Sequence, residues 1–264
     1  MHFFKAHAYG NDFLYVDAGE VRSRPLPGLA RELCNRHTGI GADGLIVFTR
    51  TAAGASMRLF NADGGLAEVS GNGVRGLAAL LVVDDDRDGA TLTIETDAGV
   101  KRLTRTGREE GRLTFRAEMG LPRDLRHVPI EVAGERLQAV VMDFGNPQCV
   151  VLGALPADAT FQRLGPALER HSYFPAGTNV EFAAVETASR IRILIWERGV
   201  GPTQSSGTGS CASLIAAASY GGAVREADVV APGGTQRVEW RDDNVYLTGW
   251  AEVVFDGAWR RNQP

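Results

Sequence analysis

Two related stretches of sequence decide how this chain folds. The first is Asn61-Ala-Asp-Gly-Gly-Leu-Ala-Glu-Val-Ser70-Gly-Asn-Gly-Val-Arg-Gly, and the second is Glu197-Arg-Gly-Val-Gly-Pro-Thr-Gln-Ser-Ser206-Gly-Thr-Gly-Ser-Cys-Ala. Each places a Ser-Gly-x-Gly turn directly before an apolar run. A glycine turn that opens a helix leaves backbone N–H groups pointing outward at the positive end of the helix dipole. Each stretch therefore predicts a helix whose first turn can bind a carboxylate or a phosphate.

The two stretches belong to a longer internal repeat. The segment Asn146-Pro-Gln-Cys-Val-Val repeats the pattern of Asn11-Asp-Phe-Leu-Tyr-Val. Asn11 and Asn146 are 135 residues apart, and Ser70 and Ser206 are 136 residues apart. Two landmarks that agree within one residue indicate an internal duplication.

The duplication predicts two similar halves, each a twisted sheet packed around its own helix. We expect residues 1–122 to form the first half and residues 123–250 the second. Residues 251–264, which begin with a strand-like pattern, are expected to return to the first half. The stretch from Gly120 to Pro129 contains two prolines and is interpreted as a linker between the halves.

Composition excludes several classes of protein. The chain has 264 residues, a net charge of −4 and a pI near 5.8, so it has no basic surface typical of nucleic-acid or membrane binding. No apolar run reaches the length of a membrane span. Its three cysteines are too few and too scattered for a disulfide framework or a zinc site. We predict a soluble cytoplasmic protein with reduced thiols, no metal, and no nucleic-acid or membrane partner.

The glycines of the first turn also match a dinucleotide-binding pattern. Gly71 to Gly76 formally fits G-x-G-x-x-G. That motif requires a strand running straight into its first glycine. Here a polar loop, residues 64–70, precedes the glycines, and a nicotinamide or flavin site is therefore not favoured.

A set of polar side chains suggests a small-molecule pocket. Several of them sit at strand ends or glycine turns in corresponding places of the two halves. Amide side chains offer both donors and acceptors, and an arginine can grip a carboxylate with two hydrogen bonds. With the two helix N-termini, they predict a pocket for a small molecule that carries an acid group at each end. The set comprises Asn11, Asn61, Asn146, Asn179, Glu197 and Arg198.

Over nearly its full length the chain resembles the diaminopimelate epimerase family. The resemblance is carried by six segments in the family's order. They are Gly10-Asn-Asp-Phe, Thr38-Gly-Ile-Gly-Ala-Asp-Gly, Asn61-Ala-Asp-Gly with Gly71-Asn-Gly, Gly145-Asn-Pro, Thr178-Asn-Val-Glu-Phe, and Glu197-Arg-Gly with Gly207-Thr-Gly. The resemblance implies an α+β fold with two pseudo-symmetric halves. Each half would be a twisted, mostly antiparallel sheet or barrel wrapped around a central helix, with the active site in the cleft between them.

The resemblance also implies a reaction without a cofactor. In the family, two cysteines face opposite sides of the substrate α-carbon; one removes the α-proton as a thiolate and the other donates a proton from the opposite face. By resemblance, the five residues Asn11, Asn61, Asn146, Asn179 and Arg198 would bind the distal amino-acid end of the substrate, and Glu197 would lie beside the amine and the acid/base pair. The amides that follow residues 70 and 206, those of Gly71, Asn72, Gly207 and Thr208, would hold the α-carboxylate. The expected partners are a diamino dicarboxylate or a similar amino acid, and a second copy of the chain in a homodimer.

The chain departs from the family pattern at three positions. Ser70 and Ser206 occupy the places of the two catalytic cysteines, and Gln148 replaces the histidine of Gly-Asn-Pro-His. A thiol with a pKa near ~8.5 can act as a base at neutral pH, whereas an unassisted hydroxyl ionises far above that range.

Three interpretations remain open at this stage. In the first, the protein is a diaminopimelate epimerase in which engineering replaced the two catalytic cysteines with serine. Alternatively, the chain is a natural relative with altered chemistry, an isomerase or lyase that uses Glu197 as its only base. The third interpretation is a binding protein that keeps the pocket without turnover. Under the first, Ser70 and Ser206 occupy the acid/base positions.

Overall fold

Contacts along the chain divide it into two compact units. The computed structural model describes residues 1–21, 24–84 and 88–260. Unit 1 contains Met1–Ala117 and the chain from Trp250 onward, and unit 2 contains Glu118–Gly249. Residues 261–264, which belong to the predicted C-terminal segment, lie outside the described residues. Within the described ranges, no helix combines the length and the apolar character that a membrane crossing requires.

Unit 1 is built mainly from strands, with two α-helices and a 3₁₀ turn at Ala18–Val21. Its elements are β1 His2–Ala8, β2 Asn11–Asp17, α1 Leu26–Cys34, β3 Gly44–Thr51, β4 Gly54–Asn61, β5 Leu66–Ala67, α2 Gly71–Leu81, β6 Thr91–Thr96, β7 Gly99–Glu109 and β8 Arg112–Gly120, of which the last three residues already belong to unit 2.

Unit 2 has the same kinds of element. They are β9 Arg123–Val132, β10 Glu135–Asp143, β11 Pro147–Leu152, α3 Asp158–Glu169, β12 Asn179–Thr187, β13 Arg190–Glu197, β14 Gly201–Thr203, α4 Gly207–Tyr220, β15 Glu226–Ala231, β16 Gly234–Trp240 and β17 Val245–Ala258, which passes into unit 1 at Trp250.

The strand pairings of the two units repeat each other. In unit 1, β2 runs parallel to β3, β3 antiparallel to β4, and β4 parallel to β6. In unit 2, β11 runs parallel to β12, β12 antiparallel to β13, and β13 parallel to β15. The identical order of directions confirms the predicted duplication and the α+β class.

The strands of each unit carry one helix on their inner face and another on the opposite face. In unit 2, α4 contacts β11, β12, β13, β15 and β16, and its residues 207–217 are all buried. Helix α3 packs against β9, β12 and β13 through Phe161, Leu164 and Leu168, which belong to an apolar core. In unit 1, α2 is the interior helix, and α1 covers β3 and β4 through Leu29, Ala30 and Leu33. The helices therefore bury the apolar side chains on both faces of the strands.

The expected linker is a strand, so that prediction was wrong. Residues 123–132 form β9, which pairs antiparallel with β10. The two strands are joined by Ala133-Gly134, whose φ angles of 50° and 79° are both positive. A two-residue turn of this kind matches the twist of a hairpin. The prolines suggested a loop, whereas the alternation of residues 125–132 and the Ala-Gly turn decide the local structure.

Candidate active site

The helix start in unit 1 is organised by Ser70. This residue is the N-cap of α2, and its Oγ accepts a hydrogen bond from the amide of Gly73 at 3.2 Å. Helix α2 begins at Gly71, directly after Ser70. A Cβ at Gly73 would lie 2.8 Å from the side chain of Ile46, so the sheet closely covers this first turn. The serine hydroxyl therefore has a structural role in the helix as well as its predicted chemical position.

A chain of hydrogen bonds orients the amide side chains near this helix start. The guanidinium of Arg75, fully buried in α2, donates to Asn72 Oδ1. Asn72 Nδ2 donates to Asn11 Oδ1 at 3.1 Å, and Asn11 Nδ2 donates to Asp43 Oδ2 at 2.8 Å. Arg36 pairs with the other oxygen of Asp43 at 2.8 Å. Because the arginine can only donate, each amide in the chain is fixed in one orientation.

Asn61 ends strand β4 at the start of a tight turn. Its Cα partner in β3 is Gly44. The amide of Asn61 donates to the carbonyl of Gly65 at 2.8 Å, and its carbonyl accepts from the amide of Gly64 at 2.9 Å. The backbone at Asn61 is thus held by the loop that leads to Ser70.

The helix start in unit 2 has the same construction. Ser206 is the N-cap of α4, and its Oγ accepts from the amide of Gly209 at 3.1 Å. A Cβ at Gly209 would lie 2.5 Å from Oε1 of Glu181, so the carboxyl group of Glu181 contacts the first turn of α4. Only glycine leaves room for this contact.

Polar side chains form a row beneath α4. Gln148 of β11 is the Cα partner of Asn179 in β12, and the β12–β13 register brings Glu197 next to the same residue. Cross-strand partners point to one face of a sheet. Gln148 Nε2 donates to Thr208 Oγ1 in α4 at 3.1 Å and to Asn146 Oδ1 at 2.6 Å. The row therefore lies on the face that α4 covers, and Gln148 connects two of the predicted binding residues.

The turn after β13 is held by the neighbouring strand. Asn179 Oδ1 accepts from the backbone amide of Arg198 at 2.9 Å. The guanidinium of Arg198 donates to the carbonyl of Ala176 at 3.3 Å. The structure thus brings Asn179, Glu197 and Arg198 together at one edge of unit 2.

Glu181 is an unusual member of this cluster because it is completely buried. Burial, and beyond it the nearby carboxylate of Glu197, raises the pKa of Glu181 well above its ordinary range. Compared with a solvent-exposed glutamate, its carboxyl group therefore favours the protonated form, in which it can donate a hydrogen bond. Glu181 was not among the predicted site residues, although an acidic residue at an inward position of an apolar strand is a usable signal.

The three cysteines do not replace the two missing thiols. Cys34, Cys149 and Cys211 are all buried. Burial raises the pKa of the Cys34 thiol to about 12, and the negative charges of Asp12 and Asp43 add to the effect. Burial likewise raises the pKa of Cys149. Neither of these two thiols supplies a thiolate base at neutral pH.

Comparison with known proteins identifies the family. The model of the diaminopimelate epimerase family matches residues 3–123 and 140–254. The chain belongs to the diaminopimelate epimerase family. A diaminopimelate epimerase from Desulforudis audaxviator is 41% identical over 280 residues, an alignment that covers 99% of this chain and 100% of that protein. One from Pelotomaculum thermopropionicum is 40% identical, with coverage of 98% and 99%.

Solved structures share the fold at low sequence identity. A probable proline racemase from Agrobacterium radiobacter superimposes with a TM-score of 0.75 at 18% identity, over 98% of this chain and 92% of that one. A hydroxyproline epimerase from Agrobacterium vitis gives a TM-score of 0.69 at 15% identity, with coverage of 97% and 91%. The fold of this diaminopimelate epimerase family member is therefore shared with other racemases and epimerases.

The predicted site residues fall into two groups, one in each unit. Unit 1 holds Asn11, Asn61, Ser70, Gly71 and Asn72. Unit 2 holds Asn146, Asn179, Glu197, Arg198, Ser206, Gly207 and Thr208. Hydrogen bonds connect Asn11 with Asn72 in the first group, and Asn179 with Arg198 in the second. Their roles toward a substrate stay predictions. Like Glu181, Arg75 and Asp43 were not among the predicted residues, although they orient the amide side chains of unit 1.

Proposed function

We propose that this protein is a cofactor-independent amino-acid epimerase that acts on diaminopimelate. The observation that carries the proposal is family membership along nearly the whole chain. It is supported by the two serine-capped helix starts, which occupy corresponding places in the duplicated units.

The substrate would be held through both of its amino-acid ends. We assign the distal end to Arg198 and to four amide side chains, those of Asn11, Asn61, Asn146 and Asn179. The reacting α-carboxylate is assigned to the first amides of the two interior helices, those of Gly71 and Asn72 in α2 and of Gly207 and Thr208 in α4. That carboxylate gains negative charge as the α-carbanion forms, so fixed N–H donors stabilise the transition state more than the ground state.

Ser70 and Ser206 are proposed as the acid/base pair at the α-carbon. One oxygen removes the α-proton, and the other donates a proton from the opposite face, so the centre inverts and no other atom is exchanged. Each hydroxyl oxygen already accepts an amide N–H at a helix N-terminus, which favours its ionised form. A hydroxyl still ionises far above neutral pH, and we therefore expect slow turnover.

Deuterium exchange tests this function directly. The protein is incubated with single stereoisomers of diaminopimelate in D₂O, and the α-proton signal is followed by NMR while stereochemistry is assayed separately. Exchange with inversion supports the epimerase. Exchange without inversion would assign the chemistry to a single base, with Glu197 as the first candidate. Binding in a calorimeter without any exchange would instead identify a binding protein.

The double variant Ser70→Cys and Ser206→Cys is the second test. A thiol at a helix N-terminus is acidified, so near neutral pH one new cysteine can remove the α-proton as a thiolate while the other, as a thiol, donates a proton from the opposite face. We expect epimerisation to rise by at least about a hundredfold, the range in which a well-matched general base contributes. Thiol labelling at several pH values provides the control, because the three native cysteines are buried. If both thiols titrate as acidic groups and turnover does not rise, the assignment of residues 70 and 206 is wrong.

A further inference from the structure

Hydrogen bonds to one buried carboxylate hold the turn that contains Glu197 and Arg198. Glu169 is the last residue of α3 and is only 7% exposed. Its Oε2 accepts from Trp196 Nε1 at 2.8 Å, and its Oε1 accepts from the backbone amide of Gly199 at 2.9 Å. The two oxygens of Glu169 thus bind Trp196, which precedes Glu197, and Gly199, which follows Arg198.

Helix α3 is shaped to receive the side chain of Trp196. Phe161, Gly165 and Glu169 recur every four residues and therefore share one face of the helix. The Trp196 ring is edge-to-face with Phe161 at 5.8 Å between centroids, and a Cβ at Gly165 would lie 2.6 Å from the indole. Because side chains alternate along a strand, a Trp196 that faces α3 directs Glu197 to the opposite face, where α4 lies.

The position of Glu169 is unfavourable for α3 itself. A carboxylate at a helix C-terminus meets the negative end of the helix dipole, and its burial removes it from water. A residue that destabilises its own helix commonly has another role in the protein. Here the carbonyl of Glu169 also accepts from the amide of Thr178 at 3.1 Å, directly before Asn179. One residue therefore fixes both chain segments that present the binding groups.

We propose that Glu169 is a positioning residue for the substrate-binding turn Glu197–Arg198. It does not contact the substrate. By holding Trp196 and Gly199 together it fixes the backbone of the turn, and with it the directions of the Glu197 carboxylate and the Arg198 guanidinium. The inference rests on the proposed function, since it assigns those two side chains to the substrate.

The variant Glu169→Gln tests this role with little change in shape. An amide has one acceptor oxygen and one NH₂ group, so it can satisfy only one of the two N–H donors and turns its own N–H toward the other. We expect the Kd for diaminopimelate, measured by calorimetry, to rise about tenfold, the effect of losing one hydrogen bond to a charged group. Glu135→Gln is the matched control, because Glu135 pairs with Arg163 of α3 at the surface and does not reach the turn.

A second change separates positioning from simple stabilisation. Trp196→Phe removes one of the two donors, so in the double variant with Glu169→Gln the amide oxygen can accept from Gly199 while its NH₂ group meets no opposing N–H. We expect the double variant to bind diaminopimelate more tightly than Glu169→Gln alone, although its thermal stability should be lower because less ring packs on α3. If the affinity of Glu169→Gln equals that of the wild type, or the double variant binds more weakly still, the positioning role is wrong.

A readout that needs no substrate keeps the two proposals apart. Hydrogen exchange at the Gly199 amide, followed by NMR, should be slow in the wild type and much faster in Glu169→Gln. A wild type that fails to bind diaminopimelate overturns the proposed function, and the exchange rates then decide the role of Glu169: acceleration supports it, and equal rates refute it.

Discussion

At the residue scale, Ser70 and Ser206 have a structural role that does not depend on their chemistry. Each caps its helix by accepting the amide of the third helical residue. A cap of this kind compensates for one of the amides that a helix N-terminus cannot satisfy internally. The same oxygen therefore stabilises the fold and occupies the predicted acid/base position.

Loss of either cap should lower stability measurably. We expect Ser70→Ala and Ser206→Ala each to reduce the free energy of unfolding by about 1 kcal/mol, the usual effect of removing an N-cap hydroxyl. Urea denaturation measures the change. Ser70→Asp and Ser206→Asp, which keep an acceptor oxygen at the cap, serve as controls and should lose less. Equal losses in the Ala and Asp variants would argue against capping.

Glu181 should make stability depend on pH. A glutamate in the unfolded chain titrates near pH ~4.3, whereas the folded protein raises the pKa of Glu181 well above its ordinary range. Between these two values the unfolded chain releases a proton that the folded chain keeps, so stability falls as pH rises. Glu181→Gln should remove this slope, so its stability relative to the wild type, measured by urea denaturation at several pH values above ~4.3, should rise with pH.

A surface glutamate provides the control for that experiment. Glu186 is hydrogen-bonded by Arg192 and Arg190, which lower its pKa. Its contribution is therefore present above the unfolded pKa and is lost only in more acidic solution. Glu186→Gln should show no change of slope between pH 5 and pH 8. A parallel shift in both variants would mean that Glu181 is not the group responsible.

At the element scale, the contact between α3 and Trp196 depends on the absence of a side chain at Gly165. Glycine inside a helix ordinarily costs ~0.5–1 kcal/mol relative to alanine. Here a Cβ would lie 2.6 Å from the indole ring, closer than any relaxed contact. Glycine occurs here in spite of its low helix propensity because β13, the strand that contains Glu197, packs too close to α3 for a larger side chain.

Gly165→Ala should therefore destabilise the protein in spite of its better helix propensity. We expect a loss of about 1–3 kcal/mol, the range for forced overpacking, and a shift of tryptophan fluorescence as the indole moves. Gly28→Ala in α1 is the control, because the nearest atom to a Cβ there is 3.9 Å away. That control should be neutral or slightly stabilising. A neutral Gly165→Ala would show that the two elements pack less tightly.

At the scale of the whole molecule, unit 1 is not one continuous stretch of chain, because it combines Met1–Ala117 with the chain from Trp250 onward. Strand β17 begins in unit 2, where residues 245–248 pair with β16, and continues into unit 1, where residues 252–258 pair with β1. The rings of Trp250 and Tyr9 contact each other at 4.4 Å between centroids with a tilt of 39°, and the Trp250 amide donates to the Tyr9 hydroxyl at 3.2 Å. The end of the chain is thus part of the first unit. The predicted domain bounds, residues 1–122 with 251–264 and residues 123–250, stay a prediction.

Removal of the chain after Gly249 should affect the two units differently. We expect a truncated chain to lose protection against hydrogen exchange in β1, which loses its pairing with β17 on one edge and keeps its pairing with β2 on the other. Peptides from β12 and β13 should keep their protection and serve as the internal control. Mass spectrometry after deuterium labelling measures both. Loss of protection in all peptides alike would show that the chain unfolds as a single cooperative unit.

The sequence alone was sufficient to predict the duplication, the interior helices and the family. Those features depend on local patterns: the Ser-Gly-x-Gly turns, the apolar runs and the recurrence of Asn11 at Asn146. The hairpin at Ala133-Gly134 was missed because two prolines resemble a linker, and the partner that makes residues 123–132 a strand is supplied by β10.

Tertiary structure decided which polar groups support the site. Glu181 is distinguished only by its burial against α4, Arg75 only by the amides it orients, and Glu169 only by the turn it holds. The sequence next to Glu169 and Glu181 does not reveal these roles, because Glu169 binds Trp196 and Gly199, 27 and 30 residues away, and Glu181 is set apart by desolvation. Arg75 is the exception, because its partner Asn72 lies three residues before it, and even there the consequence for Asn11 arises across the sheet. Local pattern fixes the elements, whereas hydrogen bonding and burial between distant segments fix what their side chains can do.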